Sequence, residues 1–242
     1  MRGMRLLISA RKATKLPRMI RSALCLGVLS LTLTACGQQE APPPPKRNRP
    51  PILLATPTHA FNPPVPKHLP DIVRVRIETS EGNMVVALDH RHAPITTTNF
   101  VRYVDDHRFD GTNFYRASRI PGDPKHGFIQ GGIAHAASLM LPPIQLEPTS
   151  ETGLRHLDGT ISMAHATPDT AMGDFTIDIG PQPGLDAHGD TPEEKGFAAF
   201  GQVVEGMDVA RRILAAPTAP YRGKPSEELA QPVRIIRVTR AN

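Results

Sequence analysis

The feature that most constrains how this 242-residue chain can fold is an alternating segment at 73–78 that is followed by a turn. Three aliphatic residues there alternate with three charged residues, and the polar residues Ser-Glu-Gly-Asn at 80–83 lead into a second apolar segment at 84–88. Alternation with a period of two directs one face of a strand toward a core, and a short polar turn joins two such strands. The pattern therefore predicts a β-hairpin at the start of a β-rich domain.

Similar segments recur up to about residue 238, and two helical patterns interrupt them. Pro94 opens the first helix and Gly206 precedes the second. In the first helix one face carries Thr97, Phe100, Val101 and Val104 at helical spacing, and in the second the apolar side carries Met207, Ala210, Ile213 and Leu214. We expect the remaining strands near 113–117, 128–131, 160–164, 175–179, 198–204 and 233–238.

The first 35 residues have the composition of an export signal. Seven basic residues within 1–21 precede an apolar stretch at 23–33 that is too short to span a bilayer as a stable helix. The stretch ends in Leu33-Thr34-Ala35-Cys36, which resembles the bacterial lipobox. Residues 1–35 are therefore predicted to be a lipoprotein signal peptide, and Cys36 the lipidation site. Met1, Met4 and Met19 are all candidate starts, because Met19 alone would begin a compact signal.

Removal of residues 1–35 changes the charge balance of the chain. The whole chain carries 28 basic and 23 acidic residues, and the loss of the seven basic residues of the signal leaves 21 against 23, a formal balance of −2. No basic stripe remains to indicate a nucleic-acid partner. Cys25 is lost with the signal and Cys36 would be acylated, which leaves no thiol for a disulfide, a metal site or a nucleophile.

Residues 36–70 are predicted to be a disordered, proline-rich tether. They contain eleven of the 26 prolines of the chain and little apolar periodicity. In polyproline geometry such a segment extends on the order of 100 Å, which would hold a domain well clear of a membrane. A spacer without recognition is favoured over a proline-rich docking motif. Residues 71–242 remain as the single folded domain.

Three sequence blocks in that domain carry the clearest functional signal, and they read Asn113-Phe114-Tyr115-Arg116, Phe128-Ile129-Gln130-Gly131-Gly132 and Ser162-Met163-Ala164. Their order and separations resemble the cyclophilin family of peptidyl-prolyl cis/trans isomerases, and most closely its bacterial periplasmic branch. The resemblance covers 73–238. It implies a mainly β fold, a closed eight-stranded antiparallel β-barrel capped by two α-helices, one at each end.

The chemistry of this family requires no covalent step, and we predict no cofactor. An X-Pro bond rotates slowly because amide resonance imposes a barrier of roughly 20 kcal/mol. A guanidinium aimed at the prolyl nitrogen can hydrogen-bond the lone pair that develops as the bond twists, and this interaction is strongest in the twisted state. The resemblance gives that role to Arg116, with Gln130 orienting Arg116 and the substrate carbonyl. These two are the predicted catalytic residues.

The resemblance, carried over residue by residue, also predicts the walls of the substrate groove. Ala164 and His165 are expected to present backbone groups to an extended peptide, and the His165 side chain to be a wall of the groove. The full set of predicted substrate contacts is Phe114, Phe128, Ile129, Ala164, His165, Asp174, Thr176, Leu185 and Phe197. The implied partners are unfolded or extended polypeptides that contain proline.

Several positions depart from the family pattern. Thr176 stands where the family has an aromatic residue in the floor of the proline pocket, and Gly184 stands where an aromatic residue usually precedes the position of Leu185. Phe197 replaces a pocket histidine or tyrosine and could partly refill the space. The segment 117–127 is expected to form a longer loop than usual between the arginine strand and the glutamine strand. These departures predict weak substrate binding and modest turnover.

Other catalytic patterns are missing from the sequence. It has no Gly-x-Ser-x-Gly elbow, no His-Glu-x-x-His, no phosphate loop and no dinucleotide fingerprint, and its histidines lack ligand spacing, so we predict no metal site. Two hypotheses remain. The first is a monomeric prolyl isomerase of the bacterial periplasm, anchored through Cys36 to a membrane, with the outer membrane favoured, that assists folding of exported proteins. The alternative is a low-activity cyclophilin-fold peptide-binding module or chaperone.

Overall fold

The computed structural model of the protein describes residues 69–220 and 226–241. The predicted signal peptide at 1–35, the predicted lipidation site Cys36 and all but the last two residues of the predicted tether lie outside the described residues. The strands of the described part are β1 Ile72–Thr79, β2 Gly82–Asp89, β3 Asn113–Ile120, β4 Asp123–Gly132, β5 Thr160–Met163, β6 Asp174–Ile179, β7 Ala198–Glu205 and β8 Glu228–Arg240.

These eight strands form a closed barrel in the order β1-β2-β7-β5-β6-β4-β3-β8, and the paired strands are antiparallel. The 13-residue strand β8 closes the barrel because it pairs with β1 along its second half and with β3 along its first half. Closure removes the unpaired edges that an open sheet would expose. The predicted mainly β fold with a closed eight-stranded antiparallel barrel is confirmed.

Two helices follow the pattern predicted from the sequence, α1 at Pro94–Asp105 and α3 at Met207–Ala215. They follow strands β2 and β7, which are antiparallel neighbours, so the two helices begin at opposite ends of the barrel. The short helix α2 at Thr149–Thr152 and a 3₁₀ turn at Pro183–Leu185 were not predicted. None of the helices in the described ranges is long and apolar enough to cross a membrane.

An aromatic cluster fills the interior of the barrel beside α1. The ring of Phe100 on α1 lies 4.9 Å from Phe109, 5.3 Å from Phe175 and 5.4 Å from Phe200, measured between centroids. All four side chains are fully buried. Complete burial of one such side chain contributes about 1.5–3 kcal/mol to folding. The outer surface of the barrel is therefore supported by a closely packed interior.

Residues 117–127 form most of a β-hairpin, and the long loop predicted there is wrong. Strand β3 continues to Ile120 and β4 begins at Asp123, so that only two residues make the turn. The pairing shifts register beside Arg119, and Gly127 opposite it has a φ of 147°. A Cβ on Gly127 would collide with the carbonyl oxygen of Ser118. The proline and glycine content of the segment therefore reflects a bulged hairpin, which sequence composition does not distinguish from a loop.

Candidate active site

Side chains from three adjacent strands meet on the outer surface of the barrel. Arg116 of β3 is paired with Gln130 of β4, and Gln130 is paired with Thr176 of β6. Residues that pair across antiparallel strands point to the same face of the sheet. The strand register alone therefore brings these three side chains, separated by up to 60 positions in the sequence, next to one another.

These side chains line a cavity of about 120 Å³ on the barrel surface. A volume of this size holds about four water molecules, so it suits a single small ring. The chain segments after β5 and before β7 and the 3₁₀ turn complete its walls. The lining residues are Arg116, Phe128, Gln130, Ala164, His165, Thr176, Leu185 and Phe197. All eight belong to the eleven residues predicted from the sequence.

Arg116 is held in a fixed orientation above this cavity. Its Nη1 donates a hydrogen bond to Gln130 Oε1 at 2.8 Å, and its Nε donates to Glu227 Oε2 at 2.8 Å. The guanidinium carbon also lies 5.1 Å from the centroid of the Phe128 ring, within the range of a cation–π contact. Contacts on both edges and one face restrict the rotamers of a side chain that is 39% exposed.

A chain of hydrogen bonds runs from Gln130 away from the pocket. Gln130 Nε2 donates to the Tyr115 hydroxyl at 2.9 Å, and Tyr115 donates to Asp174 Oδ1 at 3.2 Å. Burial raises the pKa of Tyr115, and the neighbouring negative charge of Asp174 raises it further, so the hydroxyl stays protonated and available as a donor. The backbone N–H of Ala134 also donates to Asp174 Oδ1, at 2.8 Å. These contacts fix the amide of Gln130 in one orientation.

The opposite wall of the cavity is formed by two stacked rings. His165 and Phe197 lie 4.5 Å apart between centroids with an angle of 28° between their planes. His165 Nε2 donates to the carbonyl of Gly196 at 3.0 Å, which leaves Nδ1 as the unprotonated nitrogen. Burial lowers the pKa of His165, so the ring is neutral at pH 7. A neutral, stacked imidazole fits the predicted role of a groove wall.

The remaining three predicted contacts lie elsewhere. Phe114 and Ile129 are fully buried in the barrel core, so the prediction that they contact substrate is corrected. Phe114 packs edge-to-face on Phe175, and a Cβ on Gly131 would lie 2.7 Å from the Phe114 ring. The aromatic residue and one glycine of the sequence blocks therefore serve packing. Asp174 lines an adjoining cavity of about 260 Å³, together with Gln130, His135, Ala164, His165, Ala166, Thr170 and Met172.

Comparison with known proteins decides the family. A family model described as cyclophilin type peptidyl-prolyl cis-trans isomerase/CLD matches residues 74–240. Peptidyl-prolyl cis-trans isomerase A of Dickeya dadantii is 38% identical over 170 residues, covering 67% of this chain and 84% of the relative. A peptidyl-prolyl cis-trans isomerase of Acinetobacter baylyi is 33% identical over 165 residues, with 68% and 83% covered. The chain belongs to the cyclophilins. It is a peptidyl-prolyl cis-trans isomerase of that type.

Solved structures agree with the cyclophilin fold. A cyclophilin type peptidyl-prolyl cis-trans isomerase of Cryptosporidium parvum superposes with a TM-score of 0.58 at 18% identity, covering 71% of this chain and 98% of the other. A second crystal structure of that protein, in the presence of the dipeptide Ala-Pro, gives a TM-score of 0.57 at 19% identity. At this level of identity the likeness supports the fold alone.

Two residues of this cyclophilin that contact Arg116 or Gln130 were not predicted from the sequence. Tyr115 lies next to Arg116, and simple alternation would direct it inward. A register shift between Phe114 and Arg116 lets both Tyr115 and Arg116 face outward, and a bulge of this kind leaves no signal in the residue pattern. Glu227 lies 111 positions from Arg116, and the residues that precede it in the sequence show no periodic pattern. Only the three-dimensional pairing of β3 with β8 brings it to the site.

A buried polar cluster lies on the same barrel face, beyond the pocket. Ser162 Oγ is 3.0 Å from His156 Nε2, and His156 Nδ1 is 2.9 Å from Asp186 Oδ1. The order Ser–His–Asp matches that of hydrolase triads, but Ser162 and His156 are each only 1% exposed, so no substrate reaches them. Burial lowers the pKa of His156. We define Ser162, His156, Asp186 and the neighbouring Asp178 as the buried cluster.

Neither the larger cavities nor the arrangement of metal-ligating side chains indicates an active site away from Arg116. A larger cavity of about 510 Å³ lies between the β3–β4 turn and α3, but its only arginine, Arg211, is paired with Asp158 at 2.6 Å. Within residues 69–220 and 226–241, no group of three or more His, Cys, Asp or Glu side chains is placed to hold a metal ion. The cavity beside Arg116 is therefore the candidate active site.

Proposed function

We propose that this cyclophilin isomerises X-Pro bonds in exported polypeptides and that Arg116 is its catalytic group. The observation that carries the proposal is the guanidinium held over a ring-sized cavity by Gln130 and Glu227. Arginine is charged at every relevant pH and presents its donors in a rigid fork. A donor that is already oriented can stabilise the lone pair of the twisting prolyl nitrogen without reorganisation at the moment of reaction.

Gln130 is proposed to hold the substrate carbonyl beside the bond that rotates. Its Oε1 accepts from Arg116 and one Nε2–H donates to Tyr115, so a second Nε2–H remains for a substrate oxygen. The apolar surfaces of Phe128, Leu185 and Phe197 would bury the proline ring and exclude water from the amide. A less polar surrounding favours the twisted amide, because the twisted state has less charge separation than the planar resonance form.

An exchange experiment on X-Pro peptides tests the proposed catalysis. Two-dimensional NMR exchange spectroscopy measures the cis/trans interconversion rate of a tetrapeptide with and without the purified protein. We expect catalytic amounts of the parent protein to accelerate exchange that otherwise takes tens of seconds or longer. Acceleration that persists in Arg116→Ala would contradict the assignment of Arg116, and no acceleration by the parent would contradict the proposed function as a whole.

A specific observation favours a second function, peptide holding with little turnover. Thr176 occupies the floor of the pocket and is 9% exposed, so the proline ring would meet a small polar residue there. Binding without turnover would appear as peptide line broadening and suppressed client aggregation, with cis/trans exchange at the uncatalysed rate. The same NMR experiment therefore separates the isomerase from the holding module.

The N-terminal sequence supports the cellular part of the proposal. Leu33-Thr34-Ala35-Cys36 follows a basic and apolar segment, so we propose lipidation at Cys36 and periplasmic anchoring to a membrane, the outer one being favoured. Cys36→Ser should leave the protein unprocessed or unanchored in cell fractionation. Mass spectrometry of the mature N-terminal peptide should detect the acyl chains. An unmodified parent protein that is freely soluble in the periplasm would refute the anchor.

A role in folding of exported proteins follows from this location and is tested separately. A secreted client whose slow refolding phase is limited by proline isomerisation should refold faster with the parent protein than with Arg116→Ala. If the two proteins act equally on the client, the folding role does not depend on catalysis at this site.

A further inference from the structure

Glu227 makes more contacts to Arg116 than any residue that the sequence blocks identified. Arg116 Nε donates to Glu227 Oε2 at 2.8 Å, and Arg116 Nη2 lies 2.6 Å from the same oxygen. Gln130 contacts only Nη1. The side edge of the guanidinium, formed by Nε and Nη2, is thus held by a carboxylate, while Nη1 on its terminal edge bonds Gln130.

The carboxylate of Glu227 is itself held in place. Ser118 Oγ donates to Glu227 Oε1 at 2.7 Å, so that each carboxylate oxygen has its own partner. The backbone N–H of Ala117 donates to the Glu227 carbonyl at 2.8 Å, which ties the residue to β3 just before β8 begins. A side chain anchored at its backbone and at both oxygens can transmit a defined orientation to Arg116.

The charge of Glu227 is retained in this environment. Burial acts to raise the pKa of Glu227, but hydrogen bonds from Ser118 and Arg116 and the positive charge of Arg116 outweigh it and lower the pKa below the ordinary value. The contact to Arg116 is therefore a charge-assisted one near neutral pH.

The contacts leave Arg116 able to act on a substrate. The guanidinium has five N–H groups, one on Nε and two on each terminal nitrogen. Glu227 faces Nε and one N–H of Nη2, and Gln130 accepts one N–H of Nη1. One N–H therefore remains on each terminal nitrogen. An arrangement that occupies the side edge and spares the terminal groups orients the guanidinium without competing for its function.

We propose that Glu227, supported by Ser118, is a positioning residue for the isomerisation reaction. It rests on the proposed role of Arg116, because Glu227 acts only through that side chain. It holds the plane of the guanidinium so that a terminal N–H meets the prolyl nitrogen in the twisted state. Misplacement of a catalytic group by a fraction of an ångström lowers the rate of the chemical step more than it lowers ground-state binding.

The test compares Glu227→Gln with a matched ion-pair variant elsewhere on the barrel. Glu78 pairs with Arg237 at 3.0 Å between β1 and β8, away from the cavity, so Glu78→Gln removes the same charge without touching the site. We expect Glu227→Gln to lower kcat about 10-fold with KM within about twofold. Glu78→Gln should leave both constants unchanged.

The NMR signal of the Arg116 side chain distinguishes positioning by Glu227 from a general effect of Glu227 on stability. The Arg116 Nε–H should be protected from exchange with water in the parent and in Glu78→Gln, and should lose that protection in Glu227→Gln. Ser118→Ala removes the hydrogen bond to only one carboxylate oxygen of Glu227, so it should lower kcat by about twofold. This variant tests the proposal even if Glu227→Gln does not fold.

The outcomes separate this inference from the proposed function. If Arg116→Ala is inactive but Glu227→Gln has unchanged or higher kcat, positioning by Glu227 is wrong and the role of Arg116 stands. A higher KM with unchanged kcat would make Glu227 a substrate contact and would also overturn the proposal. If Arg116→Ala retains full activity, the proposed catalysis itself fails.

Discussion

The proline pocket and the buried cluster lie on the same outer face of the same strands, yet their polar groups are partnered differently. Thr176 and Asp178 are two positions apart on β6 and point the same way, one into the pocket and the other under the covering segments. In the pocket, Arg116 and Gln130 are held by hydrogen bonds. In the cluster, both carboxylate oxygens of Asp178 lack a hydrogen-bond partner among the described residues.

This difference has a physical consequence for each region. Polar groups that are paired and partly exposed keep their charge and orientation, which is what a binding and catalytic surface needs. A fully buried carboxyl without partners is expensive to ionise, so it takes up a proton instead. The pocket is therefore expected to govern activity, and the cluster to govern how stability depends on pH.

The largest effect is expected at Asp178. Burial raises its pKa to about 8, and the charge of Asp186 adds to the rise. The folded protein then holds a proton on Asp178 that the unfolded chain releases near pH 4, so the contribution of Asp178 to stability is largest at low pH and falls by about 1.4 kcal/mol per pH unit until the folded pKa is passed. From pH 5 to pH 8 the loss amounts to about 4 kcal/mol.

Asp178→Asn removes this titration while keeping the shape of the side chain. The free energy of unfolding, measured by urea denaturation from pH 5 to pH 9, should fall less steeply with pH in Asp178→Asn than in the parent. Asp190→Asn, at an exposed position, is the control and should follow the parent. Parallel pH profiles for parent and Asp178→Asn would mean that Asp178 is ionised in the folded state.

The next effect is expected at Arg116, on the pocket side of the comparison. Arg116→Ala should lower kcat/KM by about 10- to 1,000-fold, which corresponds to roughly 1.4 to 4 kcal/mol of transition-state stabilisation. The melting temperature should change little, because the side chain is 39% exposed. Arg237→Ala, a surface arginine outside the pocket, should leave kcat/KM unchanged. A large loss of stability in Arg116→Ala would show that the pocket also contributes to folding, contrary to the comparison.

A smaller effect concerns charge selection in the cavity beside the pocket. Asp174 presents Oδ2 toward that cavity, 3.6 Å from the largely exposed His135, while its Oδ1 is occupied by Tyr115 and Ala134. A peptide that places lysine there should have a kcat/KM about 3- to 10-fold higher than its norleucine counterpart, since a partly exposed ion pair contributes about 1 kcal/mol.

Asp174→Asn provides the test of that selection. The amide can still accept from Tyr115 and Ala134, so the pocket geometry is retained while the charge is removed. The lysine preference should disappear in this variant, and turnover of the norleucine peptide should stay near the parent value. Equal turnover of both peptides by the parent would show that the carboxylate does not select substrates.

The sequence predicted the pocket well where strand register determines it. The order and pairing of three strands follow from the family resemblance, and these strands carry Arg116, Gln130 and Thr176. Correct pairing brings the three side chains together, and all three line the cavity. Ile129 lies between the pocket residues Phe128 and Gln130, so the period-two alternation of a strand points it into the core. Phe114 is two positions from Arg116, and it points into the core because the pairing shifts register between them.

The partners that complete the site could not be read from the sequence. Glu227 reaches Arg116 only through the β3–β8 pairing, and Tyr115 faces outward only because of a bulge. The buried cluster was missed for a related reason. His156 and Asp186 are separated by 30 positions and meet Ser162 and Asp178 only where two irregular segments fold over the strands. Long-range contacts of irregular segments have no periodicity to detect.

The smallest effect is expected from Thr176, the residue of the pocket that most resembles the cluster in being polar and nearly buried. Val has almost the same shape as Thr but replaces the hydroxyl with a methyl group, so Thr176→Val changes polarity with little change in volume. A proline ring that loses water against a methyl group gains about 0.5 kcal/mol relative to a hydroxyl, so peptide affinity should rise about twofold. The peptide dissociation constant and melting temperature are measured together, with Thr170→Val in the adjoining cavity as control. Affinity that falls in Thr176→Val would mean that the hydroxyl bonds the bound peptide, and the polar floor would then be a feature of recognition in this cyclophilin and not a weakness of its pocket.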